Sequence, residues 1–272
     1  MSHVMRTVSR KILATAAGAA VLTGALFVQA TTTQAASYTL PPAHAGFDYQ
    51  IGGAYTPPAG VTVVTRDHTA SPAAGLYNIC YVNAFQAQPG AEDEWAPDLL
   101  LRDSAGRVVY DEDWGEALLD ISTATKRERI ADRIGALIDG CRDKGFQAVE
   151  PDNYDSYTRS GRRLTADHAQ ALIRLLSGRA HADGLAIAQK NASELAGNRV
   201  ANGLDFAVAE ECGQYSECDA YTSAFGDHVI VIEYTDAGRS KACEAWGDRL
   251  SIVQRDLDVS PAGSSGYVRK TC

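Results

Sequence analysis

Two short apolar runs that each end in a cluster of acids constrain the fold of this chain more than any other feature. The first occupies residues 145–155, where Gly-Phe-Gln-Ala-Val leads directly into Glu-Pro-Asp-Asn-Tyr-Asp. The second occupies residues 204–212, where Leu-Asp-Phe-Ala-Val-Ala leads into Glu-Glu-Cys. This pattern is typical of a buried strand whose carboxyl end opens into a polar cleft. We therefore predict two strands whose acids face one cleft, the alternative being two loops with solvated acids.

The same arrangement recurs along the chain. Further strand-like segments are predicted at residues 48–51, 61–66, 77–83, 117–121, 185–189, 228–233 and 250–253. Their ends carry charged, amide or phenol groups, namely Arg66, Asp67, Asn83, Asp120, Lys190, Asn191, Glu233 and Tyr234. About eight strands that alternate with helices are typical of an α/β fold, and we predict a single-domain (β/α)8 TIM-like barrel. A doubly wound open sheet is the alternative, but its glycine-rich phosphate-binding signature is absent.

Two helices have clear predicted boundaries. The first begins after Thr123 or Thr125 as N-cap, carries an apolar stripe, and ends at Gly145. The second follows Thr165, and a shorter helix begins at Ser193. Helices between strands are what a parallel sheet requires for its crossovers.

Side-chain alternation within the strands indicates which acids face the barrel interior. Two strands have a face on which small residues lead to charged ones, Ala148-Glu150-Asp152 and Ala186-Ala188-Lys190. Small residues are expected in the crowded interior of the barrel. The same rule predicts that Glu211 lies inside, on the face of Ala207 and Ala209, and that Glu210 turns toward a loop or a neighbouring strand.

Residues 1–36 have the composition of a signal peptide. Arg6, Arg10 and Lys11 precede an alanine-rich apolar core, and small residues then lead to a predicted cleavage point near Ala36. The core approaches the length of a membrane-spanning helix, so an uncleaved anchor is the alternative. Residues 37–46 are then a linker, and residues 47–272 form the barrel domain.

Export predicts that the cysteines are oxidised, because disulfides persist in extracellular compartments. All six cysteines follow residue 36, and their even number predicts three disulfides. The pairings that we consider are Cys212 with Cys218, Cys243 with Cys272, and Cys80 with Cys141, although sequence alone leaves the connectivity open. No paired spacing typical of zinc ligands is present, so neither a metal nor another cofactor is predicted.

The charge of the chain narrows the class of partner. The formal net charge is −9 and becomes −12 when Arg6, Arg10 and Lys11 are removed, because no acid lies in the removed segment. Without a basic patch, nucleic acid is not an expected partner. An acidic surface suits a cationic ligand and also keeps a secreted protein soluble. We expect a monomer that has no membrane association after cleavage.

The strand ends resemble those of glycoside hydrolase family 114, the endo-α-1,4-polygalactosaminidases. The most specific elements are the Glu150-Pro-Asp-Asn and Glu210-Glu-Cys blocks. Weaker elements are Asp48-Tyr-Gln-Ile, Cys80-Tyr-Val-Asn, Leu119-Asp-Ile, Lys190-Asn191 and Glu233-Tyr234. The chain departs from the family at residues 117–118, where Ala-Leu replaces a tryptophan that many relatives carry.

The resemblance implies a (β/α)8 barrel that cuts α-1,4-linked galactosamine polymers internally. The family's pair of catalytic acids, an aspartate and a glutamate, matches Asp152 and Glu211 here, with Glu210 as the alternative to Glu211. A retaining mechanism is expected, in which Asp152 is the nucleophile and the glutamate is the acid and base. Lys190 is expected to keep Asp152 ionised by its positive charge.

The remaining polar strand ends are predicted to bind substrate. The amides of Asn153 and Asn191 suit sugar hydroxyls, and tyrosines suit sugar rings. Acids near the site suit the protonated amines of galactosamine. The full predicted set comprises Asp67, Tyr81, Asp120, Glu150, Asn153, Lys190, Asn191, Glu210, Glu233 and Tyr234.

Two other functions remain open from the sequence. One is a barrel glycosidase that acts on another α-linked sugar, neutral sugars included. The other is a secreted carbohydrate-binding protein without catalysis, against which the presence of acids at two strand ends argues. A serine hydrolase is not predicted, because no Gly-x-Ser-x-Gly turn is present.

Overall fold

The structure is a computed structural model that describes residues 37–272. The predicted signal peptide, residues 1–36, lies outside the described residues. The predicted linker, residues 37–46, forms no helix or strand and packs against the barrel. The Tyr38 hydroxyl donates to Asp205 at 2.8 Å, and the Tyr38 ring stacks on His181 at 4.6 Å between centroids.

Twelve strands lie within the described residues. They are β1 (Phe47–Gln50), β2 (Val63–Asp67), β3 (Tyr77–Asn83), β4 (Gln86–Ala87), β5 (Tyr110–Asp111), β6 (Glu116–Leu118), β7 (Ala148–Asp152), β8 (Ala186–Lys190), β9 (Phe206–Glu210), β10 (Val229–Glu233), β11 (Ser251–Arg255) and β12 (Arg269–Thr271).

Nine of these strands form one sheet in the order β1-β2-β3-β7-β8-β9-β10-β11-β12. The pairings from β1 to β11 are all parallel, and only β12 runs antiparallel, against β11. The sheet curls until β1 lies beside β11, and its inner face encloses one apolar cluster. Eight parallel strands curled around a core confirm the predicted α/β, TIM-like fold.

The helices cover the outer face of this sheet. They are α1 (Ala124–Lys144), α2 (Ala166–Ala182), α3 (Arg199–Asn202), α4 (Cys212–Tyr215), α5 (Cys218–Phe225) and α6 (Asp236–Trp246). Short 3-10 helices occur at Glu92–Glu94, Ser156–Arg159 and Ser193–Asn198, the last in place of the predicted helix at Ser193. Of the helices within residues 37–272, none combines the length and the apolar character that crossing a membrane requires.

The predicted helix boundaries are confirmed. The Thr123 hydroxyl accepts from the backbone N–H of Lys126 at the start of α1, and Gly145 ends the helix with φ 92°, a conformation that glycine adopts without strain. Thr165 and His168 form a reciprocal cap at the start of α2. These caps satisfy backbone donors that a helix cannot satisfy internally.

The rule that small residues face the barrel interior holds for β7 and β8 but is wrong for β9. In β9 the interior residues are Phe206 and Val208, while Ala207 and Ala209 pack toward the helices. The reason lies in volume, because the interior must be filled to near-crystalline density. The alanines that β7 and β8 place inside leave room that Phe206 fills.

A buried charge cluster closes the seam between the first and the last strands. The Asp48 carboxylate, which is fully buried, lies 3.1 Å from Nε of Arg269 and accepts from the Gln50 side chain at 2.9 Å. Arg269 also donates to the carbonyl of Phe47 at 2.9 Å. The antiparallel strand β12 therefore supplies the charged side chain that joins β1 to the end of the sheet.

Three disulfides connect the barrel to its outer elements. They join Cys80 to Cys141, Cys212 to Cys218, and Cys243 to Cys272, which are the pairings considered from the sequence. No cysteine within residues 37–272 is free. The first pair fastens β3 to α1, the second closes the loop after β9, and the third ties α6 to the segment that follows β12.

A small antiparallel sheet is inserted between β3 and α1. Its order is β4-β6-β5, and β6 contains Ala117 and Leu118. The prediction of a barrel strand at residues 117–121 is therefore wrong. An apolar run of this length fits any buried strand, and periodicity carries no information about which sheet it joins.

Glu116 lies where the inserted sheet meets the end of β7. Its Oε2 accepts from Nδ2 of Asn153 at 3.1 Å, and its side chain is largely shielded from solvent. Burial, helped by the nearby charges of Asp152 and Asp111, raises the pKa of Glu116 to about 7, although hydrogen bonds from Asn83 and Asn153 oppose the shift.

We predict that Glu116→Gln changes the pH dependence of stability. The pKa of this carboxyl is about 7 in the folded chain, whereas the ordinary pKa of a glutamate side chain is 4.5. The folded state therefore holds a proton that the unfolded state releases, and stability is lost as the pH rises between these values. The melting temperature of Glu116→Gln relative to wild type should thus be higher at pH 8 than at pH 5.

The matched control is Glu112→Gln, because Glu112 is an exposed acid in the turn of the same sheet. Its melting temperature should differ from that of wild type by the same amount at both values of pH. A difference between Glu116→Gln and wild type that does not vary with pH contradicts the prediction.

Candidate active site

The ammonium group of Lys190 forms the centre of the polar cluster at the carboxyl ends of the strands. Lys190 ends β8 and is almost completely buried. Its Nζ lies 3.1 Å from Asp152 Oδ1, 3.2 Å from Glu150 Oε1 and 3.3 Å from Glu210 Oε2. Three strands thereby deliver three carboxylates to one cation.

The electrostatic balance keeps Lys190 charged. Burial alone lowers the pKa of a lysine, but the carboxylates of Asp152, Glu210 and Glu150 outweigh it and raise the pKa of Lys190 well above its usual value. The phenol of Tyr49 also lies 3.1 Å from Nζ and donates to Glu150 at 2.8 Å. The cation is thus surrounded by acceptors on the floor of the site.

Asp152 is held as an anion. Burial by itself raises its pKa, but the charge of Lys190, the Tyr81 hydroxyl and the backbone N–H of Asn153 lower it below the usual value. The Tyr81 hydroxyl donates to Oδ2 at 2.6 Å, while Lys190 contacts Oδ1. Glu150 differs, since full burial raises its pKa despite the charge of Lys190.

Glu210, and not Glu211, faces Asp152. The Glu210 carboxylate contacts Lys190, accepts from Nδ2 of Asn191 at 2.9 Å and accepts from the Tyr234 hydroxyl. The prediction that Glu211 lies inside the barrel is wrong for the reason found in β9, where the larger residues occupy the interior. Glu210 shares the interior face with Phe206 and Val208.

Three successive strand ends leave the barrel through left-handed backbone conformations. The residues are Asn153 with φ 64°, Asn191 with φ 53° and Glu211 with φ 58°. Asparagine tolerates this conformation, but for glutamate it costs of order 1–3 kcal/mol. The Glu211 carboxylate, unlike that of Glu210, forms no ion pair with Lys190.

The cleft above the cluster consists of two adjoining cavities. The Asp152 cavity has a volume of 310 Å³, and the Glu211 cavity has a volume of 370 Å³. Among the predicted residues, the first is lined by Asp67, Tyr81, Asp152, Asn153, Glu210 and Tyr234. The second is lined by Asn191, Glu210, Glu211 and Tyr234. The two cavities share Trp114, Glu210, Tyr234 and Leu257.

Four predicted residues lie outside the lining of the cleft. Glu150 and Lys190 form its buried floor. Asp120 accepts from the hydroxyl of Ser122 and pairs with Lys126 at 2.5 Å near the start of α1. Glu233 is buried on the helix side of β10.

Glu233 stabilises the start of α4. Its Oε1 accepts from the backbone N–H of Gly213 at 2.7 Å, and burial raises its pKa. It therefore supports the loop that carries Glu211, and the prediction that it contacts substrate is not supported by its position.

Several residues that line the cleft were not predicted from the sequence. Glu116 and Trp114 come from the inserted sheet and its turn, and Gln88 comes from the loop after β4. Leu257, Asp258 and Val259 come from the loop after β11. The run Asp-Trp-Gly-Glu at residues 113–116, which combines an exposed aromatic residue with acids, could have indicated Trp114 and Glu116 as cleft residues.

The donor set favours acid–base chemistry. Within residues 37–272, no group of three His, Cys, Asp or Glu side chains is arranged to hold a metal ion. A wider cavity of 510 Å³ beside Arg66 has no carboxylate in its lining, and that guanidinium already donates to Gln50, Ser71 and Tyr55. The Lys190 cluster, in contrast, lies beneath a cavity whose lining includes Asp152 and Glu210.

Solved structures share this fold over most of the chain. Ega3 of Aspergillus fumigatus, in complex with galactosamine, is 25% identical to this chain with a TM-score of 0.69. The match covers 86% of this chain and 99% of the Ega3 chain. The glycoside hydrolase domain of PelA from Pseudomonas aeruginosa is 16% identical with a TM-score of 0.57, and covers 81% of this chain and 97% of its own. No curated protein sequence matches the chain.

The family comparison agrees with the geometry of the site. Residues 28–272 match the family described as glycoside-hydrolase family GH114, which covers all strands of the barrel and every residue of the cleft. Glycoside hydrolysis requires a pair of carboxyl groups, and Asp152 and Glu210 form such a pair on one buried lysine. The chain belongs to glycoside hydrolase family GH114.

Proposed function

We propose that this glycoside hydrolase cleaves α-1,4-galactosaminidic bonds within a polygalactosamine-type exopolysaccharide, with retention of configuration. The observation that carries the proposal is the pair of carboxylates, Asp152 and Glu210, on the ammonium of Lys190 at the base of an open cleft. Asp152 is the nucleophile. Glu210, in place of Glu211, is the acid and base.

The first step forms a covalent intermediate. An oxygen of Asp152 attacks the anomeric carbon as the bond to the leaving sugar breaks, and Glu210 donates its proton to the departing oxygen. Lys190 and the Tyr81 hydroxyl keep Asp152 ionised before the attack. In the second step ionised Glu210 takes a proton from water, the water attacks the anomeric carbon, and Asp152 is released.

The spacing of the two carboxylates supports retention. Asp152 Oδ1 and Glu210 Oε2 both lie within 3.3 Å of the same Nζ atom, so their separation is at most twice that distance. Retaining enzymes place the two carboxyl groups ~5–5.5 Å apart, whereas inverting enzymes need ~6.5–9.5 Å to admit water. Because the two contacts measure 3.1 Å and 3.3 Å, the shared lysine keeps these two oxygens closer together than the ~6.5–9.5 Å that inversion needs.

The charge of the cleft supports a cationic sugar. Asp67, Asp152 and Glu210 line the Asp152 cavity, and further acids line the Glu211 cavity. Amines of deacetylated galactosamine are protonated at neutral pH and are attracted to such a surface. Ega3, which shares 25% identity and the fold, binds galactosamine. Both observations favour a galactosamine polymer over a neutral one.

The extracellular location is part of the proposal. Three disulfides within residues 37–272 are compatible with an oxidising compartment. Secretion gives the enzyme access to a polymer outside the cell, and the barrel encloses its own site, so we propose that it acts as a monomer.

The first test is oligosaccharide release from α-1,4-polygalactosamine by the chain from residue 37 onward. Asp152→Asn and Glu210→Gln should each lose activity by roughly 10²- to 10⁴-fold, because each removes a group that acts in the transition state. Glu211→Gln should keep measurable turnover.

The control variant is Glu128→Gln, an exposed position on α1 that lines neither cavity of the cleft, which should match wild type. Fully N-acetylated polymer should be cut more slowly than the free amine form. Loss of turnover in Glu211→Gln with survival of Glu210→Gln refutes the assignment of the acid. Equal rates on both polymers favour a glycosidase for neutral sugars, and no cleavage by folded wild type refutes the proposed activity.

A second prediction concerns stereochemistry. Proton NMR of the products in the first minutes of hydrolysis should detect the α-anomer before mutarotation produces the β-anomer, because two displacements at one carbon restore its configuration. Appearance of the β-anomer first contradicts Asp152 as a covalent nucleophile.

A third prediction concerns the acidic limb of the pH profile. In Lys190→Met the carboxyl of Asp152 loses its cation, so its pKa rises and the acidic limb of kcat/KM should move up by roughly one pH unit or more. Lys126→Met, which removes a lysine that pairs with Asp120, is the control and should leave the limb in place. Circular dichroism identifies the pH range in which each variant is folded, and an unmoved limb there refutes the role of Lys190.

A further inference from the structure

We propose that the Glu211 cavity binds the leaving-group side of the polymer, with Trp114 stacking on a sugar ring and Glu211 pairing with an ammonium group of that side. The inference rests on the proposed function. It assigns a direction to the substrate, so that the reducing-end portion of the chain lies over the Glu211 cavity.

The direction follows from the positions of the two catalytic carboxylates. Asp152 lines only one of the two cavities, so the sugar whose anomeric carbon it attacks lies in that cavity. Glu210 lines both cavities. The acid contacts the oxygen between the glycone and the leaving group, and a group in the shared wall is placed to do so. The leaving sugar then continues into the Glu211 cavity.

An exposed apolar pair marks the boundary between the cavities. Trp114 is 53% exposed and Leu257 is 57% exposed, and both line both cavities. Tryptophan is highly buried on average, so one that stands in a catalytic cleft with half its surface open is suited to contact a ligand. The apolar face of a hexose ring is the contact that an indole favours.

Glu211 is the acid of this cavity that has no partner of its own. The other acids there are engaged, since Glu194 accepts from the Tyr157 hydroxyl, Glu217 accepts from the Ser193 hydroxyl, and Asp155 pairs with Arg159. Among residues 37–272, none donates a hydrogen bond to the Glu211 carboxylate or pairs with it, and burial and the neighbouring charge of Glu210 raise its pKa. An ammonium group bound here relieves that repulsion.

The backbone holds Glu211 in this position at a cost. Its φ of 58° is unfavourable for glutamate, yet its N–H donates to the carbonyl of Ile232 at 2.7 Å. The disulfide between Cys212 and Cys218 closes the loop directly after it. A strained residue that the surroundings hold in place at the edge of an active site is a typical sign of a functional role.

The test compares polygalactosamine with an α-galactosaminide whose activated leaving group is fluoride, which has neither a ring nor an amine. In Glu211→Gln and in Trp114→Ala, kcat/KM should fall roughly tenfold on the polymer and less than twofold on the activated substrate. The reason is that only the polymer occupies the leaving-group side. Glu128→Gln is the control and should match wild type on both substrates.

Direction is tested with galactosamine oligomers labelled at the reducing end. When binding on the leaving-group side is weakened, fewer sugars are drawn to that side. The labelled fragments released by Glu211→Gln and Trp114→Ala should therefore be shorter than those released by wild type. Longer labelled fragments would place the glycone in the Glu211 cavity and overturn the proposal, as would unchanged fragments.

The outcomes separate this inference from the proposed function. If wild type cuts the polymer but both variants lose activity equally on the two substrates, the inference fails and the proposed function stands. If wild type cuts neither the polymer nor the oligomers, both fail. If the wild-type enzyme hydrolyses the polymer but not the activated substrate, the lengths of the labelled fragments alone test the inference.

Discussion

The active site depends on one buried ammonium group. The Nζ atom of Lys190 lies within 3.3 Å of carboxylate oxygens from Asp152, Glu150 and Glu210. Without the cation, three acids at neighbouring strand ends would repel one another in a site of low dielectric, and protonation would remove the negative charge of Asp152. A lysine suits this position because a compact point charge can face three carboxylates at once, whereas the planar guanidinium of arginine directs its donors within one plane.

The strand ends were predictable from the sequence because each β-strand repeats a simple rule. Apolar residues fill the barrel, and polar residues begin where the strand leaves it, so Asp152, Lys190 and Asn191 were found at the correct edge. The choice between Glu210 and Glu211 was not predictable by the same rule. It depends on which face of β9 supplies bulk to the interior, and that in turn depends on the alanines of the two preceding strands.

The residues of the inserted sheet are the second part of the site that could not be predicted from the sequence. Trp114 and Glu116 belong to a segment with no place in the repeated pattern of strand and helix, and they reach the cleft only because the sheet packs over the end of β7. Their position in the cleft depends on tertiary packing and not on a local sequence pattern. Asp120 and Glu233 illustrate the reverse case, since both end apolar runs as Asp152 and Glu210 do, yet the Asp120 carboxylate pairs with a nearby lysine and the Glu233 carboxylate accepts from the start of a helix.

The seam of the barrel has a consequence for how the molecule is assembled. Arg269 and Phe47 are joined by a hydrogen bond although 222 positions separate them, and the buried Asp48 carboxylate pairs with the same arginine at 3.1 Å and with Arg255 of β11 at 3.7 Å. Both cations come from the last two strands of the sheet, so the Asp48 carboxylate has neither ion-pair partner until those strands have been synthesised. Contacts between such distant residues are slow to form, so the last stretch of the chain sets the time at which the first becomes stable. A ribosome that has not yet reached β11 and β12 therefore holds an open sheet, and the cylinder closes only after both strands have been synthesised.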